Sequence, residues 1–213
     1  MVLAPFFLSA ALLQPPRPAL EGPRRRGYVQ GLVVASYHPA ASEGYHRESP
    51  NLRGTAAAAT VTAGGFLSRS IALEGEFVYG RTVSAPQRFS YTFSEDYIAG
   101  SRDFLFNELV RYRPRGRAPV EIVVGGGYAL TTVTARSIVS RGFSGVFNLP
   151  DRSRRTHAPT LTAGLDGTVR IGPRLSFTPA VRFRWIRRPD ARTGETHGIA
   201  RYAFQFGAGV RFW

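Results

Sequence analysis

Carboxylates and guanidiniums recur at alternate positions in several segments of this 213-residue chain. Because the side chains of an extended strand alternate between its two faces, residues two apart share a face. Groups of this kind form bidentate ion pairs when they meet, and the protein interior tolerates them only when they are paired and hydrogen-bonded. The residues that we expect to form such an ionic network are Glu74, Glu76, Glu121, Asp166, Arg170, Arg182, Arg184 and Arg211.

A second set of chemically competent residues consists of four histidines: His38, His46, His157 and His197. A hydrolase needs such a base beside a nucleophile, and several serines qualify as nucleophiles by type alone. The histidines and glutamates between positions 38 and 48 match no zinc-ligand spacing. Solvated histidines in loops are more common than functional ones, so we expect no catalytic residue, no metal site and no cofactor.

The chain has a net charge of +14, and all 28 of its basic residues are arginines. Such a balance favours anionic partners, namely nucleic acid, phosphate-bearing lipid or anionic polysaccharide. The arginines are spread along the chain without a zinc-finger, helix-turn-helix or RNP-like motif, so we expect no nucleic-acid partner. The absence of cysteine excludes disulfides, thiolate metal sites and a cysteine nucleophile.

The longest apolar run, residues 2–13, is too short for a membrane helix and has the length of a signal-peptide core. The basic residue that usually precedes such a core is missing. We therefore expect an atypical signal peptide at residues 1–20, an irregular lead-in rich in Pro and Arg at 21–26, and one folded domain at 27–213.

Eight segments with strand-like alternation make up this domain. Their connections alternate between long and short, so all short turns fall at one end and all long loops at the other. This regularity is typical of an up-and-down antiparallel barrel. The predicted strands span residues 27–38, 55–67, 70–82, 103–113, 119–132, 156–170, 175–187 and 200–213.

The seventh segment indicates which face of the strands points out of the barrel. Phe177, Val181 and Phe183 lie on one face of it, and Arg182 and Arg184 lie on the other. The interior of an eight-stranded barrel is narrow and needs small residues. Throughout the domain, Gly, Ala and Thr accompany the charges opposite the large apolar side chains. We therefore predict an all-β, eight-stranded antiparallel up-and-down transmembrane β-barrel with its apolar face towards lipid, short periplasmic turns and long extracellular loops. The fourth segment stays unsettled, since Glu108 shares a face with aromatic residues.

Four segments carry a resemblance to a known family: GGFLSRSIALEGEF, GGGYAL, RIGPRLSFTPAVRFRW and the ending GAGVRF. The chain resembles the small eight-stranded outer-membrane barrels, the OmpA/OmpX-like family, over residues 27–213. The resemblance implies the outer membrane of a Gram-negative bacterium and insertion by the barrel-assembly machinery. Family members often end on GYRF, and the insertion signal here corresponds to Phe212, with Trp213 one residue beyond it.

The resemblance identifies a fold rather than an activity. We expect a monomer of structural, adhesive or surface-binding type whose lumen is plugged by Arg–carboxylate pairs. Its expected partners are outer-membrane lipid and lipopolysaccharide, whose phosphates Arg152, Arg154 and Arg155 of the third long loop would contact. The alternatives are a lipid A-modifying enzyme, a small channel of the porin kind and a soluble lipocalin-like carrier. The His-x-Ser pattern of lipid A deacylases with this fold is missing, so we expect no catalysis.

Overall fold

The structure is a computed structural model that describes residues 27–39, 54–81, 85–90, 94–114, 119–142, 144–187 and 202–213. Every regular element within these ranges is a β-strand, as the alternation of Val, Phe, Tyr and Thr predicts. The strands are β1 (Gly27–His38), β2 (Gly54–Phe66), β3 (Ile71–Arg81), β4 (Ala85–Ser90), β5 (Ser94–Tyr112), β6 (Val120–Gly142), β7 (Gly145–Leu149), β8 (Arg152–Gly167), β9 (Val169–Arg170), β10 (Leu175–Ile186) and β11 (Tyr202–Phe212).

Eight of these strands form a closed ring of antiparallel pairs. β1 pairs with β2, β2 with β3, β3 with β5, β5 with β6 and β6 with β8. β8 pairs with β10 and β10 with β11, and β11 returns to β1 in a register that runs from Val29–Phe212 to Tyr37–Phe204. The two-residue β9 continues along β10 after β8 ends. The predicted fold class, an eight-stranded antiparallel up-and-down barrel, is confirmed.

Burial in this barrel is inverted relative to a soluble protein. On β10, Arg182 and Arg184 are each 2% exposed, whereas Val181, whose side chain points to the opposite face, is 49% exposed. The other barrel strands repeat the pattern, so apolar side chains cover the outside. We call this surface the outer belt; its members include Val29, Val33, Val61, Leu73, Phe77, Phe106, Val110, Ile122, Val124, Tyr128, Leu161, Leu165, Phe177, Val181, Phe183, Phe204, Phe206 and Val210.

β5 has the register that the sequence left open. Its residues Asn107 and Arg111 are buried in the interior, whereas Phe106, Glu108 and Val110 are exposed on the outside. The barrel therefore gains one interior arginine and carries one carboxylate on its outer belt.

The sequence predicts long loops after the third and fifth strands, and this prediction is wrong in part. β5 has 19 residues and β6 has 23, and both continue beyond the barrel. β4 pairs with the beginning of β5 and β7 with the end of β6, so a four-stranded sheet extends the wall at the long-loop end. The β-branched residues Val133, Thr134 and Val139 favour this continuation of β6.

The seam between β11 and β1 depends on two inward glycines. A Cβ atom on Gly207 would collide with the carbonyl oxygen of Val33, and one on Gly209 with that of Gly31. Only glycine permits so close an approach of the two backbones, which the curvature of a narrow barrel requires.

No helix within the described ranges is long and apolar enough to cross a membrane. The predicted signal peptide at 1–20 and the lead-in at 21–26 lie outside the described residues.

Candidate functional site

Arg111, which β5 directs inward, lies at the centre of a buried cluster. Its guanidinium contacts Glu74 of β3, and Nη1 donates to Oε2 of Glu121 on β6 at 2.8 Å. Nη2 donates to Oδ2 of Asp166 on β8 at 2.8 Å. All four side chains are buried. One arginine thus joins three carboxylates that come from three different strands.

Two further arginines, Arg182 and Arg184 of β10, hold Glu76. Arg182 contacts Glu76 directly and donates through Nη2 to Oδ2 of Asp166 at 2.9 Å. Nη2 of Arg184 donates to Oε1 of Glu76 at 2.9 Å. Because Asp166 also binds Arg111, the two clusters form one ionic network.

Glu121 is shared by three arginines. Its Oε2 accepts a hydrogen bond from Arg111 and forms an ion pair with Nη1 of Arg211 at 2.7 Å, and its Oε1 accepts a hydrogen bond from Nε of Arg113 at 2.9 Å. The Glu121 side chain is only 2% exposed, whereas that of Arg113 is 39% exposed at the mouth of the barrel. A buried carboxylate is costly unless cations compensate it, and here three cations do so.

The structure brings together seven of the eight residues that we expected in the ionic network: Glu74, Glu76, Glu121, Asp166, Arg182, Arg184 and Arg211. Arg170, the eighth, does not join them. It is exposed on β9, and its guanidinium donates to the carbonyl oxygens of Gly172 and Pro173 in the next turn. The reason is its depth: β8 has left the buried interior by Gly167, so Arg170 lies beyond it at the mouth.

Sequence reasoning missed Arg111, which makes more ion pairs than any other arginine of the network. Glu108 is the reason, because one acidic residue on the aromatic face of β5 gives both faces polar and apolar residues, and the sequence then does not show which face points inward. The signal that points to Arg111 is the run of aromatic and apolar residues at 104, 106, 110 and 112, which places the odd-numbered positions inside.

Below the ionic network lies a group of aromatic rings and arginines that we call the base cluster: Tyr28, Phe66, Arg113, Arg211 and Trp213. The Trp213 ring stacks on Phe66 with 6.0 Å between centroids and lies 5.4 Å from Tyr28. The Arg113 guanidinium is 4.7 Å from the centroid of Phe66, and that of Arg211 is 5.0 Å from that of Tyr28. Cation–π contacts of this kind stabilise the cluster. The base cluster stands between the network and the short-turn mouth.

The two residues of the expected insertion signal point in opposite directions. Phe212 is 55% exposed and belongs to the outer belt. Trp213 turns inward, where its indole Nε1–H donates to Oγ of Ser176 at 3.2 Å. Recognition of these residues by the barrel-assembly machinery stays a prediction.

The arginines expected to contact lipopolysaccharide lie at the start of β8 rather than in a loop. Arg152 is exposed and forms an ion pair with Glu95 at 3.5 Å. Arg155 is exposed and lies across from Thr132 of β6, which lies across from Arg102 of β5. The backbone of Arg154 pairs with Val133. The three arginines predicted to contact lipopolysaccharide therefore lie on a strand at the long-loop end of the barrel.

His38 lies on the inner face of β1, with its Nε2 3.0 Å from Oγ of Ser36. His157 faces outward, where its ring stacks on Tyr128 with 5.9 Å between centroids. His46 and His197 lie outside the described residues. No group of three or more His, Asp or Glu side chains in the described ranges is arranged to hold a metal ion.

Comparison with known proteins gives structural likeness without sequence likeness. No protein-family model matches the chain, and no curated protein sequence matches it. The chain is similar to Ail, the attachment invasion locus protein of Yersinia pestis, solved with the heparin analogue sucrose octasulfate; the TM-score is 0.51 at 13% identity, over 88% of this chain and 99% of Ail. It is also similar to a major outer membrane protein from Thermus thermophilus, with a TM-score of 0.50 at 11% identity, over 86% of this chain and 98% of that one.

At such identities the likeness establishes the fold alone. The chain has the fold of the small outer-membrane β-barrels, as the OmpA/OmpX-like resemblance predicts. The outer belt and the inward charges agree with that fold, because lipid lies outside such a barrel. The predicted location in the outer membrane agrees with that of the Thermus protein.

Proposed function

We propose that this protein is a closed surface barrel of the Gram-negative outer membrane, with a structural, adhesive or surface-binding role and no open pore. The observation that supports a closed barrel is the ionic network, in which buried arginines bridge carboxylates from opposite walls. Ions would pass only if these pairs separated, and separating buried pairs is costly. The base cluster adds a second obstruction below the network.

Conductance across planar lipid bilayers tests the closed state. We expect no steady conductance from the purified wild-type barrel. A stable ohmic conductance would support the small-channel alternative and contradict a closed lumen.

The surface-binding role rests on the arginines at the long-loop end. Arg152 and Arg155 are exposed on opposite faces of β8 at its outer end, at the level where the phosphates of outer-leaflet lipopolysaccharide would lie. Guanidiniums bind phosphate in bidentate geometry. The ligand named for Ail, a heparin analogue, is likewise a polyanion. We therefore infer that this barrel binds polyanions at its outer end, with lipopolysaccharide as the first candidate.

A matched pair of triple variants tests this binding. The first replaces Arg152, Arg154 and Arg155 with Gln, and the control replaces Arg69, Arg170 and Arg174, which are exposed at the short-turn end. Wild type and the control should gain thermal stability when lipopolysaccharide is added, and the first variant should lose most of that gain. Equal gains in all three proteins would contradict the proposed contacts.

The lipid A-modifying alternative has one observation in its favour, the contact of Ser36 with His38. Both side chains face the lumen, with Ser36 3% and His38 9% exposed. Acyl chains in the membrane lie on the other side of the barrel wall, so we do not propose catalysis. Release of fatty acid from lipopolysaccharide by wild type, abolished by Ser36→Ala, would reverse this conclusion.

A further inference from the structure

Two turns at the short-turn end of the barrel have the same construction. In the turn after β2, the N–H groups of Leu67 and of the next residue both donate to the carbonyl oxygen of Ile71, at 2.9 and 3.2 Å. In the turn before β10, the N–H groups of Ile171 and of the next residue both donate to the carbonyl oxygen of Leu175, each at 3.0 Å. The two turns lie on opposite sides of the ring, with two strands between them in either direction.

Each turn begins with a large apolar side chain that the barrel leaves uncovered. Leu67 is 71% exposed and Ile171 is 61% exposed. Contact of so much apolar surface with water is unfavourable. At the boundary between lipid headgroups and acyl chains, the same side chains would be buried in lipid, as the apolar residues of membrane-surface segments are. This favours a position of both turns at the level of the headgroups.

Each turn also carries an arginine close to its apolar residue, Arg69 in the first turn and Arg174 in the second. Both side chains are exposed, and neither turn contains an Asp or a Glu. No described carboxylate forms an ion pair with either arginine, whereas the exposed Arg141 at the long-loop end has Asp96 as its partner. The cations of the two turns are therefore available to an anion outside the chain.

We propose that Leu67, Arg69, Ile171 and Arg174, which we call the turn rim, bind anionic phospholipids of the periplasmic leaflet. The apolar side chains set the depth of the turns, and the long arginine side chains extend from there to the lipid phosphates. A guanidinium donates two parallel N–H groups to phosphate oxygens. Because cations at a membrane surface attract lipids of net negative charge, the turn rim prefers phosphatidylglycerol to phosphatidylcholine.

This preference does not depend on the polyanion binding proposed at the outer end, because the turn rim lies at the opposite side of the membrane. It also differs from the role of Arg170, which precedes the second turn. The Arg170 guanidinium donates to two carbonyl oxygens of that turn, at 3.2 and 3.4 Å. Replacing Arg170 would disturb the turn itself, so the tests leave it unchanged.

The depth of the turns is tested with a dye on a single cysteine, because the chain has none. Leu67→Cys carries a bimane group, and Val146→Cys is the control, since Val146 is 66% exposed on β7 beyond the barrel. In lipid nanodiscs, we expect phospholipids with a nitroxide near the top of the acyl chain to quench the dye at position 67 and not the dye at position 146. Aqueous iodide should quench in the opposite order.

Urea unfolding in phosphatidylcholine vesicles, with and without phosphatidylglycerol, tests the lipid preference. The rim variant combines Arg69→Gln and Arg174→Gln, and the control combines Arg136→Gln and Arg141→Gln, which are exposed on the extension of β6. Both variants remove the same charge from the unfolded chain, so its own attraction to anionic vesicles cancels. The change in midpoint on adding phosphatidylglycerol should be about 1 M less favourable for the rim variant than for the control.

Three results would overturn the proposal. Equal changes in midpoint for two variants that both fold, as heat-modifiable migration on a gel shows, would mean that the two arginines do not select anionic lipid. The same difference with soluble glycerol phosphate in place of phosphatidylglycerol would mean that the turn rim binds a free anion. Quenching of the dye at position 67 by iodide alone would place the turn in water, whether or not the rim variant folds.

Discussion

Replacing Glu121 with Gln gives the sharpest test of the ionic network. The carboxylate of Glu121 forms ion pairs with Arg111, Arg113 and Arg211, and its side chain is only 2% exposed. Gln keeps the size of the side chain and removes its charge. It also turns an amide group, itself a donor, towards guanidiniums that have only N–H groups to offer.

The expected loss follows from these contacts. Removing one partner of a buried ion pair typically costs about 3–5 kcal/mol, because the remaining charge stays buried without compensation. With a urea m-value of about 2 kcal/mol per M, a loss of that size lowers the unfolding midpoint by roughly 2 M. Charge reversal in Glu121→Arg should lower the midpoint further, since it places a fourth cation among three.

The assay is urea unfolding in lipid vesicles, followed by tryptophan fluorescence and by heat-modifiable migration. Asp96→Asn is the matched control, because Asp96 pairs with Arg141 at 3.6 Å where the two side chains are 33% and 52% exposed. Exposed pairs contribute at most about 1 kcal/mol, so the control should unfold close to wild type. If Glu121→Gln and Asp96→Asn had the same midpoint, the network would not stabilise the barrel, and the reasoning for a paired, closed lumen would be refuted.

Three further predictions follow from the packing. Gly209→Ala should lower the yield of folded barrel on gels, because its Cβ would collide with the Gly31 carbonyl, whereas Gly75→Ala should fold like wild type; equal yields would argue against the close seam. Trp213→Ala should lower the free energy of unfolding by about 2–4 kcal/mol, since a partly buried aromatic side chain is removed. An unchanged urea midpoint would mean that the base cluster adds no stability. His38→Gln should lower the free energy of unfolding by about 1 kcal/mol through the lost contact with Ser36, while the stabilisation by lipopolysaccharide stays unchanged. Loss of that stabilisation would instead place His38 in the binding surface.

The sequence predicts the barrel well and the site only in part. Alternation is strict on β10 and β11, so the outward Phe183 and the inward Arg182 follow directly from period two. The extensions of β5 and β6 could not be placed, because strands that leave the membrane lose the apolar face that defines the pattern. Which charges meet depends on the stagger between strands and on long side chains, which explains why Arg111 was missed and Arg170 was included. Glu108 shows the same limit, since one carboxylate on the outer face of β5 disrupts the alternation that identifies the outside.

The β1–β11 seam has a consequence for how the barrel closes. β1 and β11 are the first and last described strands, so the ring closes only when these two strands pair along their length. Before that step both edges are unpaired, and water reaches the interior charges between them. Closure therefore completes the backbone pairing and removes water from the ion pair of Arg211 with Glu121 in a single step. We expect this closure to be strongly cooperative, and a barrel that stops short of it would keep a hydrated, charged cleft.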